Sequence, residues 1–288
     1  MLADVGVAVP KRIGVTGGSY GGGQSWLLAL EADRVSVADP TDPERVTLVP
    51  WTSPLGTPMH LAAAVPKYPW SDLVNALQPN GRASDGVVLP DGDRTEPVGI
   101  MKQSYVSGLF ALGAATALYA PPGVGPTADL VTWYGAIQAG EPYSSAHPAL
   151  ANALHQITTW KSPYYQAALM AADAASGQQV PGLDVQGWTD HLFPEVEVIS
   201  LVNRLRAIDR GWPVSVHVAD VGHAIAQNKA SDWAPINAAA NAFLDEYLLG
   251  SGKNLTGTFT VRVTTCDGSV GTVYAAPRWA ASSRAVSA

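Results

Sequence analysis

The order of strand and helix signals along the chain predicts an α/β fold built on a parallel sheet, and three segments carry that expectation. In the first, the apolar run Arg12-Ile13-Gly14-Val15-Thr16 reads as a strand. It enters the turn Gly17-Gly18-Ser19-Tyr20-Gly21, and a helical pattern follows at Ser25 to Leu30. In the second, Leu183 to Asp190 reads as a short strand whose closing turn delivers Asp190. In the third, Pro213 to Val218 reads as a strand that feeds a loop ending in Gly222-His223. A helical pattern at Glu195 to Asp209 separates the second and third strands, and another follows at Trp233 to Leu249. Strands that alternate with helices of this length point to parallel pairing with crossover helices.

Taken in order, the elements divide the chain into four parts. Residues 1–57 hold the first strand and helix, then a hairpin expected to pair Val35-Ser36-Val37-Ala38 with Val46-Thr47-Leu48-Val49. Residues 58–165 carry few strand signals and many prolines, with helical patterns at Pro58 to Val65 and Val98 to Leu118. An insertion of that length between two α/β halves is expected to form a helical cap. Residues 166–250 return to α/β alternation and complete the core begun by residues 1–57. Residues 251–288 open on the linker Ser251-Gly252-Lys253-Asn254 and continue as a β-rich tail, where Phe259, Val261 and Val263 alternate onto one face.

The chemistry resides in the same three segments. A Gly-x-Ser-x-Gly turn between strand and helix is the setting of a nucleophile elbow, which projects the serine hydroxyl above the sheet. Gly17 and Gly21 lack a Cβ, so backbone can pass close on both sides of Ser19. The helix N-terminus aims unpaired N–H groups at charge developing there, and the N–H of Tyr20 is the expected oxyanion donor. A serine nucleophile also needs a base and an orienting acid. In the order Ser, Asp, His these are Asp190 and His223, both beyond strand ends, with Asp184 and Asp220 in reserve. A second reading of the glycine-rich turn remains: Thr16-Gly17-Gly18-Ser19-Tyr20-Gly21-Gly22-Gly23 also fits a dinucleotide-phosphate loop. Against it, no tyrosine has a lysine four residues on, the pairing found in short-chain dehydrogenases.

Gly17-Gly18-Ser19-Tyr20-Gly21-Gly22, Gly187-Trp188-Thr189-Asp190 with Leu192-Phe193-Pro194 behind it, and Gly222-His223 together make the chain resemble one family. That family comprises the X-Pro dipeptidyl-peptidase and cocaine-esterase-like serine hydrolases. Asn203-Arg204-Leu205-Arg206 and Ala226-Gln227-Asn228-Lys229 are similar to the same group. The resemblance implies an α/β-hydrolase fold with a helical cap and a following β jelly-roll. It also implies a triad of Ser19, Asp190 and His223, with no cofactor. The family places several strands before the elbow, and one of them supplies a second oxyanion donor, a tyrosine hydroxyl. Here the elbow follows Lys11, and only a few dozen residues lie beyond Thr264. The expectation is therefore a partial α/β-hydrolase fold lacking its N-terminal strands, with the first strand exposed at an apolar edge and only the start of a jelly-roll. An active hydrolase and a catalytically crippled fragment both fit that description.

Composition narrows the partners. The chain of 288 residues is 47% hydrophobic and 14% charged, enough apolar residues for a sizeable core. A net charge of −7 without a basic run argues against nucleic acid. No apolar run reaches the length of a membrane span, and residues 1–11 lack the pattern of a leader peptide; the compartment stays open. Cys266, the sole cysteine, excludes an intramolecular disulfide. His217, Asp220 and His223 are spaced by three, but residues three apart on a strand face opposite sides, so no metal site is expected. His191 adjoins the expected acid, and His60, His147 and His155 have no partner pattern. Trp51, Trp70, Trp133, Tyr134, Trp160, Tyr164 and Tyr165 fall in or beside the insertion and offer apolar surface to an acyl or aromatic group. Asp72 and Glu141 are the carboxylates available to hold a substrate amine. The expected substrate is a small ester or a short peptide.

Overall fold

A computed structural model describes residues 2–39, 46–79, 99–116, 129–139, 147–250, 253, 255–267 and 269–277. The described residues form two compact units. One comprises residues 1–71 and 166–288, the other residues 72–165.

The first unit is α/β. Strand β1 (Ile13–Gly18) runs into helix α1 (Tyr20–Glu31), and the hairpin β2 (Arg34–Ala38) and β3 (Val46–Pro50) follows. The hairpin pairs antiparallel from Arg34 opposite Pro50 to Ala38 opposite Val46, as its alternation predicts. Strand β4 spans Leu61–Lys67. In the second unit lie α2 (Leu73–Leu77), α3 (Gln103–Thr116), α4 (Leu130–Ala139) and α5 (Pro148–Lys161). The first unit resumes with α6 (Ala167–Ser176), β5 (Gly182–Gly187), α7 (Val196–Ile208), β6 (Val214–Ala219), α8 (Ala230–Leu249), β7 (Phe259–Arg262) and β8 (Val273–Ala276).

Six strands make one sheet in the order β1-β4-β5-β6-β7-β8. Every pairing is parallel except β7 with β8. The central strands carry helices on both faces, and all six residues of β5 are buried, the polar Asp184 and Gln186 among them. Trp26 and Leu30 of α1, Met170 of α6, and Val198, Leu201 and Leu205 of α7 pack with Val214, Val216 and Val218 of β6. Phe243 and Ala240 of α8 pack instead with Ala63, Val65 and Leu183. Among the described residues, strand β1 lies at one edge of the sheet.

Two expectations need correction. The segment Pro58 to Val65, read as helical, is the entry to β4. Its alanines gave a helix-like composition, but a short apolar run does not distinguish a buried strand from a buried helix. Here the run is drawn into the sheet between β1 and β5, with Ala63, Ala64 and Val65 fully buried. The helical unit therefore begins at residue 72, not 58, which moves Trp70 to the α/β unit that already held Trp51. The tail expected to open a jelly-roll also behaves differently. Strand β7 joins β6 in parallel register, from Val216 opposite Phe259 to Val218 opposite Val261, so it extends the main sheet.

The helical unit has its own small core of Val74, Ala136, Leu150 and Leu154, with Trp133, Ile137 and Ile157 against it. Phe110 stacks on Tyr134 at 4.2 Å between ring centres, and Tyr134 donates a hydrogen bond to Ser107 at 2.7 Å. The expected helix at Val98 to Leu118 is α3; residues 98, 117 and 118 lie outside the described residues. Among the described residues, no helix is long and apolar enough to cross a membrane.

Candidate active site

The site grows from the turn between β1 and α1. Ser19 stands at φ 58° and ψ −121°, a conformation that costs a non-glycine residue about 1–3 kcal/mol. Packing holds it there. A Cβ at Gly17 would lie 2.6 Å from the Gly21 carbonyl carbon, so only glycine allows the helix to start that close to the strand. The Ser19 N–H donates to Lys67 O at 3.0 Å, which ties the turn to the end of β4. Serine at a helix N-cap ordinarily turns its hydroxyl onto the first-turn N–H groups. Ser19 makes no such bond; its Oγ instead lies 2.6 Å from Nε2 of His223.

His223 and Asp190 arrive from the ends of β6 and β5. His223 Nδ1 lies 2.8 Å from Asp190 Oδ2, and the His223 backbone N–H donates to the same oxygen at 3.0 Å. Asp190 Oδ1 accepts the N–H groups of Leu192 at 2.8 Å and Phe193 at 3.0 Å. Four donors thus fix both oxygens of a carboxylate that is 1% exposed. With Nδ1 facing a carboxylate, the proton of a neutral imidazole sits on Nδ1, and Nε2 accepts from the Ser19 hydroxyl. Gly222, at φ 126°, brings the two loops together; a Cβ there would collide with Asp190 Oδ2.

Aromatic rings enclose the imidazole. Tyr68 and Phe193 each present an edge-to-face contact to His223 at 5.1 Å. Trp70, fully buried, supports Phe193 at 5.7 Å and Tyr20 at 4.6 Å. The segment that places Trp70 is held by Glu197 of α7, whose Oε2 accepts the Ser71 N–H at 2.7 Å and the Ser71 hydroxyl at 2.9 Å. On α1, the carbonyl of Ser19 takes the N–H groups of Gly22 and Gly23 at 2.9 and 3.2 Å. The N–H groups of Tyr20 and Gly21, the first two of the helix, have no carbonyl within it to accept them and open the N-terminus beside Ser19.

Ser19, Tyr20, Asp190 and His223 are therefore brought together, while the other candidates go elsewhere. Asp184 points from the middle of β5 to Trp26, whose Nε1–H donates to Oδ2 at 2.6 Å; burial pushes its carboxyl up to about 8, against that bond. Asp220 accepts from Thr189 Oγ1 at 2.5 Å and from Gln227 N–H at 2.9 Å. His217 is held below the usual imidazole range by burial and then by Arg262. His191 is exposed. Asp72 caps α2 through Asn75 N–H at 3.1 Å and accepts from the Tyr165 hydroxyl at 2.6 Å, so both its oxygens are engaged. Glu141 lies outside the described residues. Among the described residues, no group of three His, Cys, Asp or Glu could hold a metal ion.

Sequence reasoning missed Tyr68, Phe193 and Asn228 as parts of the site's frame. Tyr68 and Asn228 have positive φ, at 37° and 52°, and asparagine is a residue that tolerates that region. Phe193 and Asn228 fall in segments that carry the family resemblance, but nothing in them announced a role beside His223; for Tyr68 there was no signal. No protein-family model matches the chain, and no curated protein matches it.

Proposed function

We propose that this chain is a serine hydrolase of the α/β-hydrolase type, similar to the X-Pro dipeptidyl-peptidase and cocaine-esterase-like enzymes, acting on a small ester or short peptide. The observation that carries the reading is the continuous chain from Ser19 Oγ through His223 to Asp190, at 2.6 and 2.8 Å, starting from a strained serine on a strand-to-helix turn. Nucleophile, acid and base come in the chain order of that fold, each beyond a parallel strand. The helical unit, inserted between β4 and β5, takes the place in the chain of a cap.

In the reaction, Ser19 Oγ attacks the acyl carbon while its proton passes to His223 Nε2. Asp190 keeps the Nδ1 proton in place and stabilises the imidazolium. The tetrahedral oxyanion faces the N-terminus of α1, where the Tyr20 N–H donates to it. His223 then delivers the proton to the leaving alcohol or amine, and the acyl group stays on Ser19. Water deacylates it by the same route. A dinucleotide-binding reading has less support, because it leaves the Ser19–His223–Asp190 alignment without a role.

The test is labelling with a fluorophosphonate probe, followed by an aryl-ester assay. Wild-type labelling that vanishes in Ser19→Ala, and falls by about 10³ or more in His223→Ala, is expected. A folded wild-type chain that takes no label would overturn the reading as an active enzyme and leave the crippled alternative.

A further inference from the structure

His223 reaches Asp190 and Ser19 from a loop, residues 220–228, that lacks regular structure. A loop imidazole held at hydrogen-bond distance from two partners, 2.6 Å from Ser19 Oγ and 2.8 Å from Asp190 Oδ2, needs a frame. Four hydrogen bonds from one side chain supply it. Asn228 Oδ1 accepts the Gly222 N–H at 2.9 Å and the Trp233 Nε1–H at 3.1 Å. Its Nδ2 donates to Gly222 O at 3.0 Å and to Ala226 O at 3.1 Å. Both donors and both acceptor positions of the amide are thereby used.

The placement of those bonds matters more than their number. The Gly222–His223 peptide has its carbonyl on Asn228 Nδ2 and its N–H on Asp190 Oδ2 at 3.0 Å. One peptide unit is clamped at both ends, and the His223 Cα is attached to it. The Asn228 backbone closes the loop by donating to Asp220 O at 3.1 Å, and Asp220 Oδ1 takes the Gln227 N–H at 2.9 Å and the Thr189 hydroxyl at 2.5 Å. Thr189 directly precedes Asp190. The base loop and the acid loop thus share one hydrogen-bonded frame, and Asn228 sits at its centre in a left-handed conformation that an amide side chain tolerates.

We infer that Asn228 is the positioning residue of the site: it touches neither substrate nor reacting atoms, and its amide sets the imidazole of His223 on Asp190 and Ser19. The inference rests on the hydrolase reading for its consequence in turnover, but not for the geometry itself. An aspartate would match the shape of Asn228 and still accept from Gly222 and Trp233. It would lose both donors and turn a carboxylate oxygen toward two carbonyls.

The experiment uses Asn228→Asp, and Asn228→Gly, which removes the side chain and keeps the positive φ without strain. Gln227→Ala, whose exposed side chain lies in the same loop, is the control. The first readout is the far-downfield proton resonance of His223 Nδ1–H bonded to Asp190, assigned by its loss in His223→Ala. The second is the rate of fluorophosphonate labelling, with kcat and KM for an aryl ester. Both Asn228 variants are expected to lose or shift the resonance and to label ~10²-fold more slowly, through kcat with KM unchanged, as a misplacement of about 1 Å does. Gln227→Ala is expected to match wild type, and thermal unfolding reports that the variants are folded. A resonance and labelling rate in either folded variant within twofold of wild type would overturn the inference. So would a folded wild-type chain that shows no such resonance. A wild-type chain that is not labelled, but whose resonance is lost in Asn228→Asp, would defeat the hydrolase reading and leave the positioning role standing.

Discussion

Replacing Asp184 by asparagine tests the energetics of the core at the middle of β5. Asp184 is fully buried in β5; one oxygen accepts from Trp26 Nε1, and the other has no hydrogen-bond partner among the described residues. Burial raises its carboxyl to about 8 in the folded chain, against an unfolded value of about 4. The folded state therefore holds a proton that the unfolded state releases between those two values. The stabilisation is complete below the unfolded pKa and is lost as pH rises toward the folded one. Each pH unit in that window removes ~1.4 kcal/mol, so about 4 kcal/mol disappears between pH 5 and pH 8. Asparagine keeps an acceptor for Trp26 and carries no titrating proton. Asp184→Asn is thus expected to lie within about 1 kcal/mol of wild type at pH 4 and to be more stable by several kcal/mol at pH 8. The assay is urea unfolding followed by tryptophan fluorescence at unit pH intervals in both chains. Asp173, raised to about 6 by burial against the opposing Arg34, adds a fall of the same sign, but it is present in both chains and subtracts out. Parallel pH profiles for wild type and Asp184→Asn would refute the reasoning.

Three further outcomes follow from the same contacts. Ser19→Gly relieves the φ of 58° that Ser19→Ala retains, so the glycine variant should unfold at higher temperature, with a difference of about 1 kcal/mol, though neither takes the probe. Gly222→Ala places a Cβ onto Asp190 Oδ2 at a φ of 126°; its labelling rate should drop by ~10²-fold or more. Glu197→Ala leaves the buried Ser71 N–H and hydroxyl without their acceptor, which should lower stability by about 2–3 kcal/mol in urea unfolding.

The local signals in the chain were strong where the chemistry of each residue acts on its near neighbours. The glycines on either side of Ser19 announced the turn, because only a missing Cβ allows α1 to begin against β1. The alternation of Val35 to Ala38 and Val46 to Val49 announced the hairpin. Asp190 and His223 were legible from their positions beyond apolar runs. Beyond that reach the signals failed. Leu61 to Val65 has a composition that suits helix and buried strand alike, and its pairing with both β1 and β5 is a long-range outcome. The parallel docking of Phe259 to Val261 on β6 is another, since alternation gives a strand but not its partner.

By itself, then, the sequence determined the α/β class, the serine turn and the places of Ser19, Asp190 and His223 beyond their strands, because these depend on residue type and short spacing. Only the tertiary structure decided that Asp184 meets Trp26 in the core and Asp220 meets Thr189 and Gln227, so that neither orients His223, that Trp70 belongs to the core, and that Asn228 clamps the peptide before His223. Each of those outcomes turns on which distant backbone a side chain meets, and that is settled by the packing of the sheet and its helices, not by neighbours along the chain.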